Sequence, residues 1–314
     1  MRNVLPVSLI VTTLNEATTI ESFLHSVASQ SVLPTEFVIC DGGSADATVE
    51  IISRFDHAEL KPKILRRDGA TISAGRNHAI ENSAMEIIAV TDAGCELYPD
   101  WLEKITAPLL SNATIDIVSG GYELRAKNAF QQIAVASEIP VRLIDERNYI
   151  PSSRSIAFRK YVWMEAGGYP EHLSFAGEDT AMCMIWKNSG KKFFFQCDAK
   201  VIWYPRKSLP AYVRQHYLYG IGDGESQARN AFYRQTILKS MIALLMMCAS
   251  ILFPPAWVVF CIGVIVYYVR LHRTYGWNDY PVPTTLRAFL LLMLKELSLF
   301  IGWLRGMRRV RSLR

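Results

Sequence analysis

The chain is poor in the features that would declare several large enzyme and scaffold classes. Its six cysteines, Cys40, Cys95, Cys183, Cys197, Cys248 and Cys261, form no Cys-x-x-Cys pair. That spacing argues against a zinc site or a disulfide scaffold and fits a reducing compartment. His25, His57, His78 and His272 show no metal-binding spacing either. No Gly-x-Gly-x-x-Gly follows the first strand-like segment and no Gly-Lys-Ser/Thr loop is present, so neither a dinucleotide fold nor a P-loop enzyme is supported. Charge of one sign is barely in surplus, at a formal net +5, and Arg305, Arg308, Arg309, Arg311 and Arg314 equal that surplus by themselves. This excludes a nucleic-acid-binding face and instead places a basic tail beside apolar sequence, as suits anionic lipid headgroups. A signal peptide is not expected: the apolar run Val7 to Val11 is too short, and Thr12, Thr13 and Glu16 follow it in place of a small-residue cleavage site.

What is present is organised around Ile87 to Cys95. Ile87, Ile88, Ala89, Val90 and Thr91 are apolar or β-branched, the pattern of a strand buried on both faces of a parallel sheet. The run stops at Asp92, with Ala93 and Gly94 after it. In an open α/β sheet, ligands sit beyond the carboxyl ends of the strands. Taken alone, Asp92 could simply start a turn, so the neighbouring strands decide its meaning. Val7 to Thr12 predicts a first strand ending in Thr13, Leu14, Asn15 and Glu16. Thr18 with Glu21 has the spacing of a capping box for a helix running to about Ser29. Glu36 to Cys40 predicts a second strand ending in Asp41, Gly42, Gly43 and Ser44, with Ser44 expected to cap a helix through Ile51 and Ile52. Lys63 to Arg66 reads as a short strand, and Ile72 to Asn82 as a helix. Strand and helix alternating at this spacing imply right-handed βαβ units. Three strand ends therefore present polar residues on one rim.

Further along, Ile115 to Gly120 and Ser155 to Phe158 predict strands, and Asn128 to Glu138 a helix. Lys160 to Ala166 predicts a short helix stopped by Gly167 and Gly168. Thr180 to Ser189 predicts another, with Ala181, Met184 and Ile185 facing inward, and Ile139 to Pro151 has no clear assignment.

The segments Val7–Glu16, Asp41–Thr48, Gly75-Arg76-Asn77, Thr91–Gly94, Gly167-Gly168-Tyr169 and Gly177-Glu178-Asp179, occurring in that order, resemble glycosyltransferase family 2 of the membrane-attached bacterial polysaccharide or lipid-glycan type. The resemblance covers about residues 5 to 225. It implies an α/β GT-A fold, a Rossmann-like, mostly parallel sheet flanked by helices, and nucleotide-sugar donors. Carried over position by position, it implies donor binding by Thr13, Asn15, Glu16, Asp41, Ser44, Arg76 and Asp92, and catalysis by Asp179 with Glu178. Asp179 would be the base of an inverting displacement, with an oxocarbenium-like transition state. UDP-sugars are the favoured donors, and a lipid-linked or glycan molecule is the expected acceptor. The family usually carries Asp-x-Asp where this chain has Asp92-Ala93-Gly94. A histidine often found after the late strand is replaced within Trp203-Tyr204-Pro205-Arg206. Both groups tend to hold the divalent cation, so Mg2+ or Mn2+ is expected with Asp92 as its protein ligand, and Arg76 and Arg206 are expected to share in neutralising charge.

Leu209 to Ala231 is rich in tyrosine and basic residues. Arg206, Gln215, His216 and Tyr219 are read as an acceptor site or a membrane interface. Residues 1–230 would form the transferase domain. Residues 235–270 would form a transmembrane hairpin turning at Pro254-Pro255, with a single kinked helix or a re-entrant loop as alternatives, and 284–314 an amphipathic interfacial helix with a basic tail. Arg229, Arg234, Arg270 and Arg273 flank the hairpin, so its ends and the catalytic domain are expected on the cytoplasmic face of the inner membrane. The rival is a non-catalytic nucleotide-sugar-binding subunit of a polysaccharide assembly complex, for which the lost second carboxylate would be the mark.

Overall fold

The computed structural model describes residues 2–138, 149–174, 176–253 and 255–312. In chain order the elements are β1 (Asn3–Thr13), α1 (Ile20–Ala28), β2 (Val32–Asp41), α2 (Thr48–Arg54), β3 (Pro62–Arg66), α3 (Ile72–Glu81), β4 (Ile87–Val90), β5 (Cys95–Leu97), α4 (Trp101–Ser111), β6 (Ile117–Leu124) and α5 (Ala129–Ala136). They continue with β7 (Ile156–Arg159), α6 (Lys160–Glu165), α7 (Glu178–Asn188), β8 (Phe193–Trp203), α8 (Leu209–Ser226), α9 (Asn230–Leu252), α10 (Ala256–Tyr275) and α11 (Val282–Ser312). Most of the unassigned stretch 139–151 lies outside the described residues, as does Pro254. Two compact units result: Met1–Arg125 with Asp145–Tyr204, and Ala126–Ile144 with Pro205–Arg314.

The first unit is an eight-stranded sheet in the order β3-β2-β1-β4-β7-β6-β8-β5. β1 lies between β2 and β4 and is parallel to both. Its alternation divides the core: Val7, Leu9 and Val11 face a layer with Phe23 of α1 and Trp101 of α4, while Ile10 faces Val38, Val90 and Trp186. A strand covered by helices on both faces has no solvent side to offer, which is why Val7 to Val11 is apolar but for Ser8, whose buried hydroxyl donates to Glu36. The expectation of a mostly parallel sheet holds for β3-β2-β1-β4. Beyond it β7 runs antiparallel to both β4 and β6, so the sheet is mixed.

Three local expectations are corrected. Thr19, not Thr18, stands at the N-cap of α1 and makes no side-chain cap bond; its hydroxyl turns back to Glu16. α2 starts at Thr48, and Asp46 rather than Ser44 accepts from the Thr48 backbone N–H. The inward face of α7 is Met182, Cys183 and Trp186, while Ile185 is exposed. The Trp186 indole N–H bonds the Val162 carbonyl, and burying that large ring rotates the helix one position from the expected stripe.

Gly120 marks the tightest crossing in the sheet. Its N–H donates to the Ser155 carbonyl, and the Ser155 hydroxyl bonds Ala199 O at 3.0 Å while receiving the Trp101 indole at 2.8 Å. A Cβ on Gly120 would overlap the Ser155 hydroxyl and the Ala199 carbonyl, whereas one on Gly94 would meet nothing within 4 Å. Overpacking typically costs about 1–3 kcal/mol. Gly120→Ala should therefore lose at least that much in thermal or urea unfolding, with Gly94→Ala close to wild type.

The second unit is helical. Gly220 and Gly224 of α8 face Gly302 and Gly306 of α11, and a Cβ on any of the four would collide with the opposite backbone. This is the small-xxx-small contact by which helices approach closely. It ties α8 to α11 within this unit. Glu138 and Lys295 pair at 2.7 Å, joining the region of α5 to α11. No residue of α10 is buried. Among the described residues, Ala256–Tyr275 is one helix long and apolar enough to cross a membrane.

Candidate functional site

The carboxyl ends of parallel β1, β2 and β4 bring the segments after Thr12, Cys40 and Val90 to one rim. The first two loops are laced together. Asn15 adopts φ 57°, and its side-chain oxygen accepts from Ala45 N at 2.9 Å while its own N–H donates to Ser44 Oγ at 2.9 Å. Glu16 N donates to Thr48 Oγ1 at 2.8 Å. Asp41 is fully buried and accepts from the Gly43 and Ser44 N–H groups, the Ser44 hydroxyl and the Thr13 hydroxyl. Burial pushes its carboxyl up, but the Ser44, Gly43 and Thr13 bonds outweigh this and hold it below the usual carboxylate range. Asp41 thus shapes the loop; both of its oxygens are engaged inside it.

Arg76 on α3 joins the halves of this unit. Its guanidinium, 2% exposed, donates from Nη1 to Glu178 Oε1 at 2.6 Å and from Nη2 to Asp92 Oδ1 at 2.8 Å. The Tyr169 ring lies 5.4 Å from it. Burial works against the charged guanidinium, but Glu178 and then Asp92 raise its pKa above the ordinary arginine value. Glu178 is pushed up by burial first and by the adjacent Asp179 charge second, with Arg76 opposing. Asp179, next along in the first turn of α7, is only half-buried. Its Oδ2 has a long 3.5 Å contact with Ser153 N. Its Oδ1 accepts from the Thr180 N–H at 2.7 Å, so of the two acidic residues one is locked in a buried ion pair and the other has one oxygen with only a long contact.

The glycine motifs prove to be one structure. Asn77 Oδ1 accepts from Tyr169 N at 2.8 Å and Trp163 Nε1 at 3.0 Å, while Nδ2 donates to Tyr169 O and Glu171 Oε1. Gly168, at φ 82°, lies against this amide, where a side chain would be both strained and crowded. Asn77 therefore fixes the loop that carries Tyr169 beneath Arg76. A cavity of about 550 Å³ opens beside this loop, lined by Asn77, Trp163, Met164, Tyr169 and His172 among others; Thr13, Asp41, Asp92 and Asp179 do not line it.

Arg206, Gln215, His216 and Tyr219 belong to the second unit. Arg206 is exposed, whereas Gln215 and His216 are buried. Burial, with the Lys295 charge adding to it, pushes His216 down to about 4, so the ring is neutral at neutral pH.

Among the described residues, no group of three His, Cys, Asp or Glu side chains could hold a metal ion. Asp92 is a carboxylate at the rim, and one of its oxygens accepts from Arg76. This donor set fits a cation carried mainly by a ligand's own oxygens, not one caged by protein. Sequence reasoning did not find Asn77 as the clamp, nor Ser153 against Asp179. Asn77 could have been found, since it follows Arg76 in a recognisable motif; Ser153 carries no local signal.

Residues 8–162 match the family model of Glycosyl transferase family 2. The chain is 29% identical over 185 residues to the glycosyltransferase AglE of Haloferax volcanii, across 57% of this chain and 60% of that one. It is 27% identical over 112 residues to the chondroitin synthase of Pasteurella multocida, across 36% of this chain and 12% of that one. These alignments thus span less than two thirds of either relative. Among solved structures, the mannosyltransferase PcManGT of Pyrobaculum calidifontis, in complex with GDP-Man and Mn2+, is similar at a TM-score of 0.61 and 17% identity, covering 95% of this chain and 87% of that one. The glucosyl-3-phosphoglycerate synthase of Mycobacterium tuberculosis, in complex with phosphoglyceric acid, is similar at a TM-score of 0.51 and 14% identity, covering 73% and 80%. At these identities the likeness establishes a shared GT-A fold.

Proposed function

The chain being a family 2 glycosyltransferase, we propose that it moves a sugar, with inversion, from a nucleotide-sugar donor to a lipid-linked or polysaccharide acceptor at the cytoplasmic face of the inner membrane. The observation that carries this is the Glu178–Arg76–Asp92 bridge. It ties the rim where a donor diphosphate would lie to the helix start where Asp179 stands. The loops of Thr13 to Glu16 and Asp41 to Ser44 receive the nucleoside, with Asp41 organising them from beneath. Asp179 takes the proton from the acceptor hydroxyl as that oxygen attacks the anomeric carbon, and the nucleoside diphosphate leaves from the opposite face. Glu178 and Arg76 hold the geometry. A divalent cation, bound by Asp92 and the diphosphate, would supply positive charge to the leaving group.

The membrane part of the proposal rests on exposed apolar surface. Leu238, Met241, Leu245, Ile251, Val258 and Ile265 all lie uncovered on α9 and α10. The outward face of α11 adds Leu286, Leu290, Leu297, Ile301 and Leu304, with arginines beside it, as in a helix lying in the interface. Arg229 precedes α9, Arg234 lies near its start, and Arg270 and Arg273 lie near the end of α10, a basic clustering at the outer ends of the pair that supports the cytoplasmic side.

The test is a thermal-shift screen of detergent-solubilised protein with UDP-, GDP- and dTDP-sugars, since a ligand bound only by the folded state stabilises it by mass action. Any stabilising donor then goes to a transfer assay on membrane lipid extract. Stabilisation by one nucleotide class, UDP-sugars first, followed by transfer is the expected result. Stabilisation without transfer or hydrolysis would favour a binding subunit, and no stabilisation by any donor would reject the reading.

Cation dependence should be shallow in the native chain. The open space at Gly94 admits a carboxylate, so Gly94→Asp should tighten Mn2+ binding in the presence of the nucleoside diphosphate by about tenfold or more, ~1.4 kcal/mol. Titrating Mn2+ against both proteins checks it.

A further inference from the structure

The second unit carries a cavity of about 370 Å³ on α10 that the proposed reaction does not use, lined by Ile265, Val266, Val269, Arg270, Arg273 and Thr274. These positions recur at helical spacing, so they share one face of the helix. Along that face the chemistry changes in one direction. Ile265 and Val266 are each 61% exposed and Val269 is 43% exposed. Arg270 and Arg273 follow in the last turns before α10 ends at Tyr275. Both arginines are exposed, and among the described residues neither makes an ion pair. The Thr274 hydroxyl donates to the Arg270 carbonyl at 3.0 Å, which turns it to the backbone and leaves the polar end to the two guanidinium groups. Nine steps of a helix rise roughly 13 Å, so the apolar and basic ends of the face are about a headgroup apart.

We infer that this cavity is a binding site for an anionic phospholipid, its phosphate held between Arg270 and Arg273 and the start of an acyl chain lying along Ile265, Val266 and Val269. Charge selects the headgroup: arginines three apart on a helix project to the same side, and a guanidinium matches phosphate oxygens with a planar fork. The apolar lining selects a lipid over a soluble phosphate. A bare anion would occupy only the basic end and leave three branched side chains in water, whereas an acyl chain removes that surface from it. Cations near a helix C-terminus also offset the helix dipole, but that accounts for the arginines alone and not for the apolar wall that precedes them. The order matches a bilayer, with the basic end at headgroup level and the apolar end toward the hydrocarbon. The inference rests on the membrane reading above and names the lipid chemistry that α10 selects.

The experiment uses the full chain in dodecyl maltoside, titrated with dioleoyl phosphatidylglycerol or dioleoyl phosphatidylcholine, with bound lipid counted by native mass spectrometry. Wild type should prefer the anionic glycerol lipid. Removing both charges, in Arg270→Gln with Arg273→Gln, should weaken that lipid by about 10- to 30-fold. The choline lipid, whose own cation offsets its phosphate, should weaken much less, so that the preference shrinks toward equality. Ile265→Ser should weaken both lipids alike. Arg54→Gln with Lys61→Gln removes the same charge from the exposed surface of the first unit and should change neither. Each variant is checked for folding by its thermal transition; if the double charge variant does not fold, Arg273→Gln alone gives the same comparison. The inference is overturned by wild type without a preference, by a folded charge variant that keeps it, by a control that loses it as fully, or by Ile265→Ser binding both lipids as wild type does. Displacement of the anionic lipid by millimolar inorganic phosphate overturns it too, since that would show a bare anion site. A full chain that is soluble without detergent overturns the membrane reading itself, and this inference with it; one that needs detergent yet shows no preference overturns this inference alone.

Discussion

Asp179→Asn should slow sugar transfer by about 10²- to 10⁴-fold, the usual contribution of a general base, while donor affinity stays near wild type. The reason is the unequal environment of two neighbouring acids. Glu178 is buried against the Arg76 guanidinium at 2.6 Å, so an acceptor hydroxyl could use it only by displacing that pair. Asp179 is half-buried, and its Oδ2 has only a long contact with Ser153 N. Asparagine preserves its shape and removes its ability to take a proton. Because donor binding is proposed for the strand-end loops and not for Asp179, the loss should fall on kcat and not on the donor's Kd. Glu178→Gln should cost less, since an amide oxygen can still accept from Arg76. Single-turnover rates and donor Kd values for the two variants, measured side by side, check this. Near-full activity of Asp179→Asn would remove Asp179 from the role.

Arg76→Met should be the most damaging substitution to the first unit's stability. It leaves two carboxylates, Glu178 and Asp92, without the charge that both now face. Removing one partner of a buried ion pair typically costs about 3–5 kcal/mol, on the order of 10 °C in Tm at this size. Asp92 is partly exposed and can be solvated, so the larger share should come from Glu178, which is 7% exposed and already pushed up by burial. Adding Glu178→Gln to Arg76→Met should therefore recover part of the loss. Additive losses in the double-mutant cycle would mean the bridge does not couple the two sites. Arg76→Lys cannot span both carboxylates as a fork does and should lie between.

The strands of the first half were legible because burial on both faces leaves a mark in local sequence: β1, β2 and β4 are runs of apolar and β-branched residues ending in polar loops. β5 was not, since Cys95, Glu96 and Leu97 form a three-residue edge strand whose only warrant is its pairing with β8. The acidic start of α7 was visible, but not the division between Glu178 and Asp179, because only folding brings Arg76 to one and not the other. Asp41 was readable as a strand-end carboxylate; that its oxygens bind its own loop depends on backbone N–H directions. The glycines of α8 and α11 look like helix-weakening residues until their partner backbones are in place.

The central claim, a single displacement with Asp179 as base, is tested most directly by the stereochemistry of the first turnover. With the donor found in the screen, proton NMR of the anomeric signal during that turnover reports the configuration of the new linkage. The account predicts a product opposite in configuration to the donor, formed without a covalent sugar–protein species. Retained configuration would contradict it, because a base acting behind the attacking hydroxyl in one displacement cannot produce that outcome.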